Sequence, residues 1–152
     1  MMYYFELKET GFAVTFDNFI KNKEKYIFGK MKSIADFIKN DIQQNILNKR
    51  AVPSGKIPRN TPATEKMKGL VNFPLVNTRG LHNSISYKEI QDGYEVYIIG
   101  EENNFKALIN STDRMQYKIF GRPMKTPVKV PARKFFGIRT AIKKDLKKIL
   151  NG

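Results

Sequence analysis

His82 is the only imidazole in the chain, and there is no cysteine. It is therefore the only side chain whose ordinary pKa lies near neutral pH. Any Ser–His–Asp chemistry would have to run through it. Its neighbours in Leu81-His82-Asn83-Ser84 supply no carboxylate, and the chain has no Gly-x-Ser-x-Gly turn to present a nucleophilic serine. His82 reads as a structural histidine. A second candidate is the carboxylate run Glu89, Asp92, Glu95, Glu101 and Glu102. Glu89 and Glu95 flank the turn signal Gln91-Asp92-Gly93, and across a hairpin they could hold a cation or share a proton. A solvated acidic edge, which also discourages edge-to-edge strand pairing, is the plainer reading. A third candidate, Ser54-Gly55-Lys56, resembles a fragment of a phosphate loop. Arg50 stands where the first glycine belongs and Ile57 where a hydroxyl is required, so it fails. No catalytic constellation assembles. The expectation is a protein without catalytic residues, cofactor or metal.

Composition narrows the classes further. Without cysteine there is no disulfide scaffold, thiolate zinc site or iron–sulfur cluster. No apolar run approaches the roughly 18 residues of a membrane span. The opening residues Met1 to Lys8 lack the basic-then-apolar layout of a signal peptide. The expectation is a soluble protein made and kept in a cytoplasm. At 152 residues with 41% hydrophobic side chains, one packed domain is expected.

Charge is the strongest compositional signal. The net charge is +14, from 28 basic and 14 acidic residues. It is unevenly placed. Stretch 83–113 is acidic, with two basic residues against six acids, and stretch 114–152 holds twelve basic residues against one acid. A field of this kind suits polyanions or acidic protein surfaces. Lysine outnumbers arginine three to one among the cations, which weakens a base-reading role, because arginine is the bidentate reader. Lys143, Lys144, Lys147 and Lys148 would line one side of a terminal helix as the candidate anion-facing residues.

The elements that must position these residues follow from periodicity. Residues 1–16 alternate as strands, broken at Glu9-Thr10-Gly11. Residues 17–48 read as one long helix capped by Asp17 or Asn18, with Ile27, Met31, Ile34, Ile38, Ile42 and Ile46 forming a stripe. Residues 49–77, punctuated by Pro53, Gly55, Pro58, Pro62, Gly69 and Pro74, read as a flexible arm. Residues 78–110 hold a hairpin and a short helix. Residues 111–130 read as an irregular basic loop. Residues 131–152 read as the C-terminal helix, its stripe Ile138, Ile142, Leu146, Ile149 and Leu150. The expected class is α+β, with the N- and C-terminal helices packed on a small antiparallel sheet.

Two stretches carry a family resemblance. Leu75-Val76-Asn77-Thr78-Arg79-Gly80-Leu81-His82-Asn83-Ser84-Ile85 resembles the Leu-hydrophobic-Asp-Thr-Gly-x-Leu-x-x-Ser-Ile signature of phage virion morphogenesis proteins, the tail-completion and head–tail joining family of tailed phages. Pro131-Ala132-Arg133-Lys134-Phe135-Phe136-Gly137 resembles that family's entry into its last helix. The chain departs from the pattern at Asn77, in the inverted order Arg79-Gly80, at Ile109 where histidine is common, and in lacking tryptophan. The resemblance implies a structural virion protein, a ring of copies of itself (a hexamer in many relatives) at the phage neck. Its neighbours would be tail, neck or portal-connector proteins, with passing contact with DNA and none with membrane. It would be assembled in the bacterial cytoplasm and retained in the virion. It also implies scaffold roles: Thr78, Leu81, Ser84 and Ile85 fixing the turn before the hairpin, and Pro131 and Gly137 setting the last helix. Arg133 would make an ion pair, and Phe135 and Phe136 would anchor the helix. The alternative from charge alone is a basic nucleic-acid-binding module using residues 114–152.

Overall fold

Alternating side chains along the first residues build two strands, β1 (Phe5–Thr10) and β2 (Ala13–Asn18), joined through Gly11 at φ +57°. The computed structural model describes residues 5–18, 25–58, 80–90, 93–119 and 122–151. A second pair, β3 (Ile85–Ile90) and β4 (Gly93–Ile98), forms a hairpin in which Ile90 lies opposite Gly93. β2 pairs with β4, so the four strands form one antiparallel sheet in the order β1-β2-β4-β3. Register decides which face is buried. Val14 lies opposite Val96, Phe16 opposite Tyr94, and Ile85 opposite Ile98, so these apolar side chains share one face. Thr15 opposite Glu95 and Ser86 opposite Tyr97 lie on the other.

Helix α1 (Lys25–Asn48) covers the apolar face. At 24 residues it is about 36 Å long. Its stripe of Met31, Ile34, Ile38, Ile42 and Ile46 is buried, with Ala35 beside it. Two short helices follow, α2 (Gly80–Asn83) before β3 and α3 (Glu101–Asn110) after β4. Glu101 and Glu102 sit in the first turn of α3, where negative charge is favoured. A 3₁₀ turn, Thr140–Ile142, leads into α4 (Lys143–Asn151). Ile142, Leu146 and Leu150 of this last segment bury against the core. The architecture is α+β, as the periodicities indicate.

Three element assignments differ from the sequence reading. Asp17 and Asn18 do not cap α1. They continue β2, where Asp17 lies opposite Gly93 and Asn18 opposite Phe5. The stretch 111–130 is no irregular loop. It forms a two-stranded antiparallel ribbon, β5 (Arg114–Ile119) with β6 (Arg122–Val130). Pro127 cannot donate to a strand ladder, and the register shift between Gln116 and Lys118 leaves it in the unpaired bulge. The C-terminal segment is helical only from Thr140. Residues 131–139 are neither helix nor strand, and the chain bends at Phe136 and Gly137. Of the arm assigned to 49–77, the first part is fixed: Arg50 bridges to Lys56, and Ile57 is buried. The remainder, with Thr78, lies outside the described residues.

Gly137 is the point where the backbone admits no substitute. Its φ is +145°, and an added Cβ would meet Val52 Cγ1 at 2.8 Å and Glu9 Oε1 at 2.9 Å. Gly29 in α1 faces open space. Gly137→Ala is expected to cost about 2–4 kcal/mol in urea unfolding, from strain and displaced neighbours. Gly29→Ala should instead gain about 0.5–1 kcal/mol from helix propensity. Equal effects at the two sites would contradict this placement.

Candidate functional site

A buried polar network ties three parts of the chain together. Asp41 lies within α1 on the edge of the apolar stripe, and it is buried. Arg139 donates to it twice, from Nη2 at 2.6 Å and from Nε at 3.0 Å, a bidentate fork. Arg50 Nη2 donates to the same carboxylate at 3.1 Å and to the Asp41 carbonyl at 3.1 Å. The hydrogen bond it donates to Asp41 holds the Arg139 guanidinium above its ordinary pKa, with burial acting the other way. One turn further along α1, Asn45 is fully buried. It donates to the Phe135 carbonyl at 2.8 Å and accepts from Arg50 Nε at 3.1 Å.

The Pro131–Gly137 segment docks onto this network. Phe135 is fully buried, and Phe136 meets Phe12 edge-to-face at 6.0 Å between ring centroids. Arg133 is buried, and its Nε donates to the Pro58 carbonyl at 3.0 Å. That contact ties the segment to the backbone at Pro58, and ion pairs to Asp41 are made by Arg139 and Arg50. Glu9 reaches from β1 to accept from the Ile138 amide at 2.5 Å, which places its carboxylate at the Gly137 turn. Pro131 is exposed, and the next amide, Ala132, donates to Asp113 at 2.7 Å.

The turn before the hairpin is built in the same manner. Leu81, Ser84 and Ile85 are buried. Ser84 Oγ donates to the Leu81 carbonyl at 2.6 Å and closes α2. Gln43 of α1 donates to the His82 carbonyl at 3.1 Å. The two resembling segments are thus held by residues two apart on one helix, Gln43 and Asn45.

The candidate reactive groups disperse. His82 Nδ1 lies 2.9 Å from Asn83 Oδ1. Glu89 lies opposite Tyr94 and Glu95 opposite Lys88, so the two glutamates occupy opposite faces of the hairpin. They cannot share a proton or a cation. Glu95 instead pairs with Lys88 at 3.4 Å. Among the described residues no group of three or more His, Asp or Glu is placed to hold a metal, and no helix is long and apolar enough to cross a membrane. An open depression of about 280 Å³ lies beside the network, lined by Arg50, Lys56 and Arg139 among others, but both arginines are committed to Asp41.

What the surface offers is charge and exposed apolar side chains. Lys143, Lys144, Lys147 and Lys148 are all exposed on α4. Among the described residues, the large apolar side chains left exposed are Ile99, Phe105 and Leu108 at and on α3, and Met115 and Tyr117 on β5. Tyr117 is 62% exposed and Phe105 61%. Single exposed apolar residues are common, but these fall in two groups on neighbouring elements. The ribbon was hidden in the sequence behind its prolines, and Asp41 and Arg139 behind the surrounding isoleucines. A signal existed: one acid flanking an otherwise apolar helix stripe. Compared with known proteins, the chain matches no family model, no curated protein and no solved structure.

Asp41→Asn should leave two arginines facing a neutral amide. The expected loss in chemical unfolding is about 2–3 kcal/mol, below the full cost of breaking a buried pair because both arginines keep partial access to water. His82→Gln should change stability by less than about 0.5 kcal/mol. A null effect at Asp41 would contradict the role of the network.

Proposed function

We propose that this chain is a structural protein of a tailed-phage or prophage virion, one that completes the tail or joins it to the head as part of a ring. The observation that carries this is the division of labour between interior and surface. Described residues of both resembling segments serve the interior, where Leu81, Ser84, Ile85, Arg133 and Phe135 are buried. Among the described residues the exposed large apolar side chains lie at and on a short helix and on a ribbon strand. That layout suits attachment to neighbouring subunits. Its partners would be further copies of the chain and the adjoining tail, neck or portal-connector proteins. The protein acts without cofactor, in the virion, after assembly in the host cytoplasm.

A second reading has its own support. Arg122, Lys125 and Lys129 on the ribbon and the four lysines on α4 are exposed, with Asp145 the one acid among residues 114–152. A basic ribbon of this kind could lie along nucleic-acid phosphates.

Light scattering on a sizing column separates the two. A ring-former should elute at a multiple of 17.6 kDa at physiological salt, at least at high protein concentration. A nucleic-acid module should stay at 17.6 kDa and retard duplex DNA with a steep salt dependence. In that case Lys143→Glu with Lys147→Glu should weaken DNA binding at least tenfold. A monomer at all concentrations would sink the ring.

A further inference from the structure

The depression beside the Asp41 network has walls that the fold itself holds in place. Its volume is about 280 Å³. The lining combines three cations, Arg50, Lys56 and Arg139, with the apolar surfaces of Ala51, Pro53 and Ala141, and it includes no carboxylate. The loop from 50 to 56 closes on itself. Arg50 bridges to Lys56, and the Ala51 amide donates to the Gly55 carbonyl at 3.0 Å. The Pro53 carbonyl accepts from the Thr140 amide at 3.0 Å, which ties this loop to the turn bearing Arg139 and Ala141. A site cross-tied in this way loses little freedom when a ligand enters.

Asp41 does not use up the two guanidiniums. A guanidinium carries N–H donors along more than one edge. Arg139 gives Asp41 its side edge, Nε and Nη2. Arg50 gives Nε to Asn45 and Nη2 to Asp41. In neither residue does Nη1 take part in these bonds. Both side chains also reach the surface, Arg50 being 29% exposed and Arg139 18%. Asp41 thus fixes the orientation of two arginines whose remaining donors border the depression. Three cations against this one buried acid leave a local charge of +2.

We propose that this depression binds the phosphate group of a small phosphomonoester. Arg50, Arg139 and Lys56 donate to its oxygens, and its organic part rests on Ala51, Pro53 and Ala141. A phosphomonoester carries about −1.5 to −2 near neutral pH and has three terminal oxygens, so charge and acceptor number both match the site. A carboxylate or a phosphodiester brings a single charge and fits less well. The volume lies at the small end of ligand pockets, which selects a short chain or single ring as the organic part. The site stands apart from the ring proposed above, and neither needs the other.

An amide NMR titration of the full chain with phenyl phosphate tests it, at ionic strength held constant with sodium chloride. The amides of Ala51, Gly55 and Ala141 should shift along one saturable curve, with a Kd of roughly 1 mM. Inorganic phosphate should move the same amides but bind about threefold or more weakly, because it leaves the apolar lining uncovered. Lys56 is exposed, so Lys56→Glu should keep the wild-type circular dichroism spectrum. It should weaken phenyl phosphate binding about tenfold or more. Lys125→Glu makes the same charge change on β6 and should bind as the wild type does. Shifts that do not saturate, or equal weakening by the two substitutions, would overturn the site. Equal affinity for phenyl phosphate and inorganic phosphate would overturn the ester as its ligand. None of these results alters the mass of an assembled ring, so the two proposals fail separately.

Discussion

Everything in this fold depends on one buried carboxylate. Asp41 sits among isoleucines, where an unpaired charge would be costly. Two guanidiniums resolve this: Arg139 grips it through a fork, and Arg50 adds a third donor. The three residues come from α1, from the turn after it, and from the segment before α4. Their meeting fixes where the chain's last quarter crosses the helix. Asn45 repeats the device with the Phe135 carbonyl, and Arg50 ties Asn45 to Asp41. A hydrophobic core alone would tolerate sliding of the 131–139 segment along α1. Directional hydrogen bonds at Asp41 and Asn45 remove that freedom.

Register then transmits outward. With Phe135 seated, Gly137 comes against Val52 and Glu9, and the Glu9 carboxylate takes the Ile138 amide. The edge strand β1 is thereby linked to the entry of α4. Val52 and Pro53 take part as well: the Val52 amide donates to the Lys134 carbonyl, and the Pro53 carbonyl accepts from Thr140. The body is cross-linked around the Pro131–Gly137 crossing. The flanks of the β5–β6 ribbon meet this web at Asp113–Ala132 and at the Arg133 amide, which bonds the Asn110 carbonyl.

The sequence revealed what periodicity can reveal. The isoleucine stripe of α1 and the β3–β4 hairpin follow from spacing alone, because burial selects residues at 3.6 and 2 intervals. Three features were not legible there. Asp17 and Asn18 resemble a helix cap locally, yet pairing with Phe5 and Gly93 holds them in β2. The ribbon hid because prolines signal breaks, and only the partner strand shows that Pro127 sits in a bulge. Asp41, Arg50 and Arg139 are 98 residues apart at the extremes. No local pattern joins them, and a charged residue beside an apolar stripe reads equally well as solvated. Glu89 and Glu95 show the reverse case. Their closeness in sequence suggested a pair, and strand alternation puts them on opposite faces.

Native-state amide hydrogen exchange, compared between the wild type and Asp41→Asn, tests the central claim most directly, namely a body locked at Asp41. In the wild type the amides of Val52 and Thr140, which bond the Lys134 and Pro53 carbonyls, should exchange nearly as slowly as those of α1, β2 and β4. In Asp41→Asn those two amides should exchange markedly faster, ahead of the sheet. Val52 and Thr140 amides that stay as slow in the variant as in the wild type would contradict the account.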